Sequence, residues 1–351
     1  MAGRFWREAA TLIIVGRAAF PNNKVRGFPD SNYNILLLKR NNRSSFMPGA
    51  SVFPGGVVEA SDFCEDWLNV FEKCGYTASD LRHLRNSAPL PELYTNKPAH
   101  YILPEIGFRI GAIRETFEES GILLARHLPR MYHEQHEVDR WRRAIQKDAN
   151  KFLAMFHEIG GCPAVWDLHE WISWLTPSSQ KGRRFNTIFF ITFLDSMPKP
   201  AFDDEEVVGL QVISPPAVLQ EWYKGNVWLP PPQAYEISRF LNFQCFEKLK
   251  RFAHQRGKKG LDHYFPVVNH TINGIVSFLP GDDLYPEHPD YSGEQGAIEI
   301  KSTLEELQKT ATHLNRFELE GNVIRIIVNV VPKYGHVQAL DFLSICGKSE
   351  F

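Results

Sequence analysis

Three glutamates, Glu115, Glu118 and Glu119, carry the sharpest chemical signal in the chain, because their i, i+3, i+4 spacing projects them from one face of a helix. Like charges at those spacings repel by about 0.2–0.5 kcal/mol per pair on an exposed helix, and by more when desolvated. The patch therefore asks for a cation or a basic partner. Carboxylate oxygens are hard ligands, which favours Mg²⁺ or Mn²⁺ over zinc. A solvated acidic face is the plain alternative for a bare Glu-x-x-Glu-Glu. Upstream, however, lies Phe53-Pro54-Gly55-Gly56, a strand end followed by a glycine turn whose backbone can approach a metal or a phosphate closely. It is the combination that points to chemistry.

The elements that must position these groups read as follows. Segments 11–15, 35–38 and 51–53 are β-type runs separated by Gly, Pro and Asn, so the N-terminal part predicts strands of a mixed sheet. Residues 63–104 interrupt that rhythm and read as an insertion, with a short helix over 66–73 and an irregular, Pro-rich stretch over 87–98. From 104 to about 127, Ile106, Ile110, Ile113, Phe117 and Leu124 recur at helical spacing, and Gly121 ends the regular helix. A second helix is expected over 134–157, then strands at 171–175, 186–194 and 207–213. Helices are expected at 215–222 and 233–252, the latter running into the basic residues Lys248, Lys250, Arg251, Arg256, Lys258 and Lys259. That run reads as a solvated face. The remainder, with strands at 274–279 and 323–331 and a helix at 302–314, offers no motif to which chemistry attaches.

The chain has 351 residues, 43% of them hydrophobic, enough to bury one large core or two smaller ones. A formal net charge of −2 argues against a stable nucleic-acid partner bound through overall positive charge. Cys64, Cys74, Cys162, Cys245 and Cys346 are scattered, odd in number and without a Cys-x-x-Cys pair, which suits reduced thiols in an intracellular compartment and makes a structural zinc unexpected. No apolar run approaches the roughly 20 residues that cross a bilayer, so no membrane span is expected. His133-Glu134-Gln135-His136-Glu137 lacks the His-Glu-x-x-His spacing of a zinc protease. Trp228 reads as packing a turn.

Together, the glycine turn and the acidic helix resemble the Nudix box of the Nudix hydrolases, in which Gly, five residues, Glu, seven residues and Arg-Glu-apolar-x-Glu-Glu-x-Gly-apolar form a loop, helix and loop. Gly56 matches the first Gly, Asp62 stands where the first Glu is expected, and Arg114, Glu115, Glu118, Glu119, Gly121 and Ile122 match the rest. Thr116 replaces an apolar residue. Asp62 and Arg114 are separated by 51 residues in place of seven, an apparent insertion of 44. The resemblance implies an α+β Nudix fold, a mixed β-sheet between helices in an α/β/α sandwich. The expected organisation is a Nudix domain over 8–245, carrying the insertion 63–104 within its box, and a C-terminal α/β extension over 246–351 packed on it. It further implies Glu115 and Glu119 as catalytic residues and Glu115, Glu118, Glu119 and the Gly56 carbonyl as ligands of Mg²⁺ or Mn²⁺. Arg114 and Asp62 would orient the carboxylates.

Further blocks are similar to the coenzyme A diphosphatase branch of the family, whose members carry such an insertion: 52–58, Trp174-Leu175-Thr176-Pro177, 182–185, 206–209, Trp228 to Gln233 and Leu279-Pro280-Gly281-Asp282-Asp283. Leu37, Leu38, Arg40, Arg43, Gly49 and 53–56 match part of a coenzyme A signature. This resemblance implies coenzyme A or acyl-CoA as substrate, with 3′,5′-ADP and (acyl-)4′-phosphopantetheine as products. Arg40, Arg43, Lys181, Arg183 and Arg184 are candidates for meeting the ribose 3′-phosphate, and Glu206 is a candidate additional acid. Alternatives are a Nudix hydrolase of NADH, ADP-ribose, FAD or capped RNA, and a catalytically silent Nudix-fold binding module. The branch implies a peroxisome, yet Ser349-Glu350-Phe351 lacks the small, basic, Leu pattern of that address. Mitochondrion and cytoplasm stay open, as does the oligomeric state.

Overall fold

The computed structural model describes residues 6–18, 24–43, 47–85, 90–95, 97–98, 101–128, 135–197, 207–294 and 296–347. The architecture grows from the first strand, Arg7–Arg17, which pairs in parallel with Phe185–Leu194 over ten residues and antiparallel with Tyr33–Arg40 and Gly55–Val57. Its Ala-Thr-Leu-Ile-Ile-Val run is apolar on both faces because both faces are covered. Ala10, Leu12 and Ile14 enter one core, while Ile13 and Val15 enter the other. The mixed sheet is completed by His169–Leu175, Val207–Ile213, Ser51–Val52 and His263–Tyr264. The first core holds the helix Pro104–Ser120, the insertion and the helices Gln135–Lys147 and Asn150–Ile159. The second core holds Pro215–Tyr223, Pro231–Phe240 and Phe246–Arg256.

Two expected helices are broken. The segment 134–157 is interrupted at Asp148, whose side chain accepts the N–H of Asn150 and starts a second helix there. The segment 233–252 is interrupted at 241–245, where Asn242 donates its amide to the Arg239 carbonyl and the Phe246 N–H is met by the Asn32 side chain. Both breaks are made by short polar side chains that satisfy helix ends. Gly121, with φ of 71°, closes the carboxylate helix as expected.

The C-terminal residues form a four-stranded antiparallel sheet, Val267–His270, Ile275–Phe278, Asn315–Glu320 and Val323–Val328, beside the helix Leu304–Thr310. Asp282, in the Leu-Pro-Gly-Asp-Asp block, anchors it through a buried bidentate pair with Arg316 at 2.6 and 2.7 Å. It also accepts the Asn315 N–H. Among the described residues no helix is long and apolar enough to cross a membrane.

Candidate active site

The split box is closed in space. Arg114 reaches from the carboxylate helix to Asp62 with two parallel bonds, Nε to Oδ1 at 2.8 Å and Nη2 to Oδ2 at 2.9 Å. Its Nη2 also donates to the Val57 carbonyl, and its Nη1 bridges Glu115 at 3.0 Å and Glu118 at 2.6 Å. Asp62 is fixed from the other side by the Glu59 N–H. Burial works against the Arg114 charge, but the Asp62, Glu115 and Glu118 carboxylates outweigh it and hold the pKa above the ordinary arginine value. The intervening chain leaves and returns without opening this junction: the Phe63 carbonyl accepts the Ile102 N–H.

The helix reaches the glycine turn at two points. The Gly55 N–H donates to Glu119 Oε2 at 2.9 Å. The Glu115 carboxyl group lies so close over Gly56 that a Cβ built there would stand 2.5 Å from Oε2. Gly111 admits Asp62 in the same way, at 2.9 Å from its Oδ2. Sequence reasoning named Gly56 and missed Gly111. Its position three residues before Arg114 was the available signal. Burial raises the Glu115 pKa well above the ordinary carboxylate value, with Glu118, Glu119 and Asp62 adding to the effect and Arg114 opposing it.

A cleft of about 650 Å³ opens over this junction and is lined by Gly55, Gly56, Glu115 and Glu119. Arg40, Arg43 and Arg183 line it too, so the structure brings three of the five basic candidates to the carboxylates. Lys181 is exposed outside the lining. Arg184 is buried and bonds to the protein's own backbone, donating to the main-chain carbonyls of Thr176 at 3.2 Å and Tyr291 at 2.7 Å. There it ties the 176–185 loop to the C-terminal extension, outside the cleft lining. Glu206 lies outside the described residues. Pro266, Val268, Ser277 and Phe317 of the extension, to which sequence reasoning attached no chemistry, form one wall of the cleft.

The expected ligands Glu115, Glu118, Glu119 and the Gly56 carbonyl offer oxygen donors alone, the chemistry that would suit Mg²⁺ or Mn²⁺. The desolvated Glu115 beside two further acids is an electrostatic arrangement that a cation would relieve. Among the described residues, no three acidic, histidine or cysteine side chains already converge at metal-holding distances. The Arg114 guanidinium joins Glu115 and Glu118 instead, so filling the site requires those carboxylates to turn.

A family model described as the NUDT19 Nudix domain matches residues 6–240, and one described as the NUDT19 C-terminal domain matches residues 269–329. The chain is 37% identical to the acyl-coenzyme A diphosphatase NUDT19 of Xenopus laevis, over 97% of both chains. It is 35% identical to that of Gallus gallus, over 96% of this chain and 95% of the other. The Homo sapiens protein is 34% identical, over 95% and 94%. The chain, with its split but spatially closed box, belongs to the NUDT19 family of Nudix hydrolases.

Proposed function

We propose that this hydrolase cleaves the diphosphate bond of coenzyme A and acyl-CoA, giving 3′,5′-ADP and (acyl-)4′-phosphopantetheine, with Mg²⁺ or Mn²⁺ held by Glu115, Glu118, Glu119 and the Gly56 carbonyl. The reading is supported by the names of the full-length relatives. The observation that carries it is one cleft shared by Glu115, Glu119, Arg43 and Arg183. Among the described residues, no carboxylate pairs with either arginine. Two guanidinium groups without a carboxylate partner among the described residues, in one cleft with the helix acids, suit a substrate that carries a further phosphate.

A diphosphate resists attack because its charged oxygens repel a nucleophile. The divalent ion would supply positive charge to those oxygens. Glu115 and Glu119 are the two helix acids that line the cleft, so they are the two groups within reach to take a proton from the attacking water. Water oxygen bonds to one phosphorus, the bridging P–O bond breaks, and one phosphate stays on each half. Arg114 anchors Glu115 and Glu118 beside the site before an ion enters, and the Gly55 N–H anchors Glu119.

The test is hydrolysis by the purified protein with Mg²⁺, and with chelator, of coenzyme A, NADH, ADP-ribose and FAD. The highest kcat/KM is expected for coenzyme A or its acyl esters, and activity is expected to vanish with chelator. A clear preference for a substrate lacking the 3′-phosphate would overturn the coenzyme A reading, and indifference to chelator would overturn the metal assignment.

A further inference from the structure

The C-terminal sheet has two unlike faces. Val276 and Phe278 point into a small core with Leu304 and Leu307. The alternate positions form a row across three strands: Val268 is the register partner of Ser277, and Ser277 that of Phe317. All three line the catalytic cleft. The row is two-thirds apolar, contains no charge and stands in the same cleft as the arginines, so the cleft lining holds both guanidinium groups and an uncharged row.

A second feature of the cleft is independent of that row. Gln233 lines the cleft, and its Oε1 is buried without a hydrogen-bond partner among the described residues. A buried amide oxygen left unpaired is costly, about 1–3 kcal/mol, and calls for a donor. The helix that carries it, Pro231–Phe240, is rigidly seated: Glu236 accepts from both Trp171 and Trp174.

We infer that Val268, Ser277 and Phe317, with Gln233, form the subsite for the pantetheine arm and the start of the acyl chain, so that the C-terminal extension determines specificity for the non-nucleotide half of the substrate. This rests on the function proposed above. The arm is uncharged, flexible and punctuated by amide groups. Its methyl-bearing segment suits Val268 and Phe317, and an amide N–H suits the Gln233 oxygen. The nucleotide half, with its phosphates, falls to Arg43 and Arg183. The extension thus completes the site, since the Nudix sheet alone supplies no wall where Val268 and Ser277 stand.

Product inhibition separates the two halves. Inhibition constants for 4′-phosphopantetheine and for 3′,5′-ADP would be measured on the full chain and on Ser277→Trp, which fills the wall, and Gln233→Met, which keeps volume and removes the acceptor. Each variant is expected to weaken 4′-phosphopantetheine inhibition about tenfold or more, while the 3′,5′-ADP constant stays near that of the parent. Loss of 3′,5′-ADP inhibition instead, or equal loss of both, would overturn the inference, as would two folded variants that match the parent. Should Ser277→Trp fail to fold, Val268→Ala, which only removes apolar contact, reads the same wall with the same outcomes. If the parent does not hydrolyse coenzyme A at all, the proposed function fails, which is a different result from a parent that cleaves coenzyme A while its wall variants discriminate nothing.

Discussion

Asp62 and Arg114 form a bidentate ion pair across 51 intervening residues, with both side chains at most 3% exposed. A pair this buried owes little to bulk water, and each partner depends on the other for compensation. Because Arg114 also holds Glu115 and Glu118, the pair transmits the position of the strand end to the carboxylates. The detour of chain between 62 and 114 is tolerated because its two ends are fixed at this junction.

Asp62→Ala should therefore lower both stability and turnover. Breaking one partner of a buried pair costs about 3–5 kcal/mol, and the freed guanidinium would draw further on Glu115 and Glu118. Urea denaturation and kcat on the folded fraction measure the two effects. A variant that keeps parental stability would remove Asp62 from the role given to it.

The adjacent glycines should fail in different ways. Alanine at Gly56 puts its Cβ against the end of a flexible side chain, the Glu115 carboxyl, which can turn away. The fold should survive while turnover falls by about 10² or more, as for a misplaced catalytic group. At Gly55, φ is +154° and the Cβ would stand 2.5 Å from the Ala10 carbonyl oxygen, which cannot yield. Gly55→Ala should lower the melting temperature. Equal thermal loss in both variants would contradict this division.

Glu119→Gln keeps an oxygen for the Gly55 N–H and so should fold normally. Its turnover should drop by about 10²–10⁴, the usual worth of a charged group acting in the reaction. Circular dichroism establishes the fold and initial rates establish the loss. Near-parental activity in the folded variant would reject the assignment of this acid.

The carboxylate helix, its Gly121 end and the glycine turn were legible because each follows from local chemistry: helical spacing, a left-handed cap, a backbone without Cβ. The reunion of Asp62 with Arg114 was legible only through the resemblance to a known box, since no local rule carries information across 51 residues. The strands Val267–His270 and Asn315–Glu320 escaped because their inward positions include polar residues. Asn269, Asn315 and Arg316 are all buried, Arg316 being neutralised by Asp282. Arg184 looked like its neighbours Lys181 and Arg183, and only the fold reveals that main-chain carbonyls of Thr176 and Tyr291 take its donors.

The arginines can be tested by subtracting the phosphate they are proposed to meet. Arg43→Ala and Arg183→Ala should each raise KM for coenzyme A, by about ten- to a hundredfold for loss of a charge-assisted hydrogen bond worth about 1.5–3 kcal/mol. KM for dephospho-coenzyme A should move little. Parallel rises for both substrates would mean that the arginines hold some other part of the ligand.

Acid should destabilise the protein through three histidines set between the sheet and the helices around it. Burial lowers the pKa of His169 and of His263 to about 4, and that of His336 well below its ordinary 6.5. The folded state therefore binds their protons more weakly than the unfolded chain. Stability from this source is complete above about pH 6.5 and is lost as pH falls toward the folded-state values, at up to about 1.4 kcal/mol per pH unit for each histidine. His336 packs edge-on against Trp171 with ring centroids 4.4 Å apart and also touches Phe252. His336→Phe keeps a ring in that setting and removes one titrating group. Melting temperatures between pH 7 and pH 4.5 should consequently fall less steeply for this variant than for the parent, whatever the change at pH 7, because the slope counts protons while the intercept counts packing. A slope identical to the parent's would mean that His336 titrates alike in the folded and unfolded chain, and that its burial between Trp171 and Phe252 is not what opposes the charge.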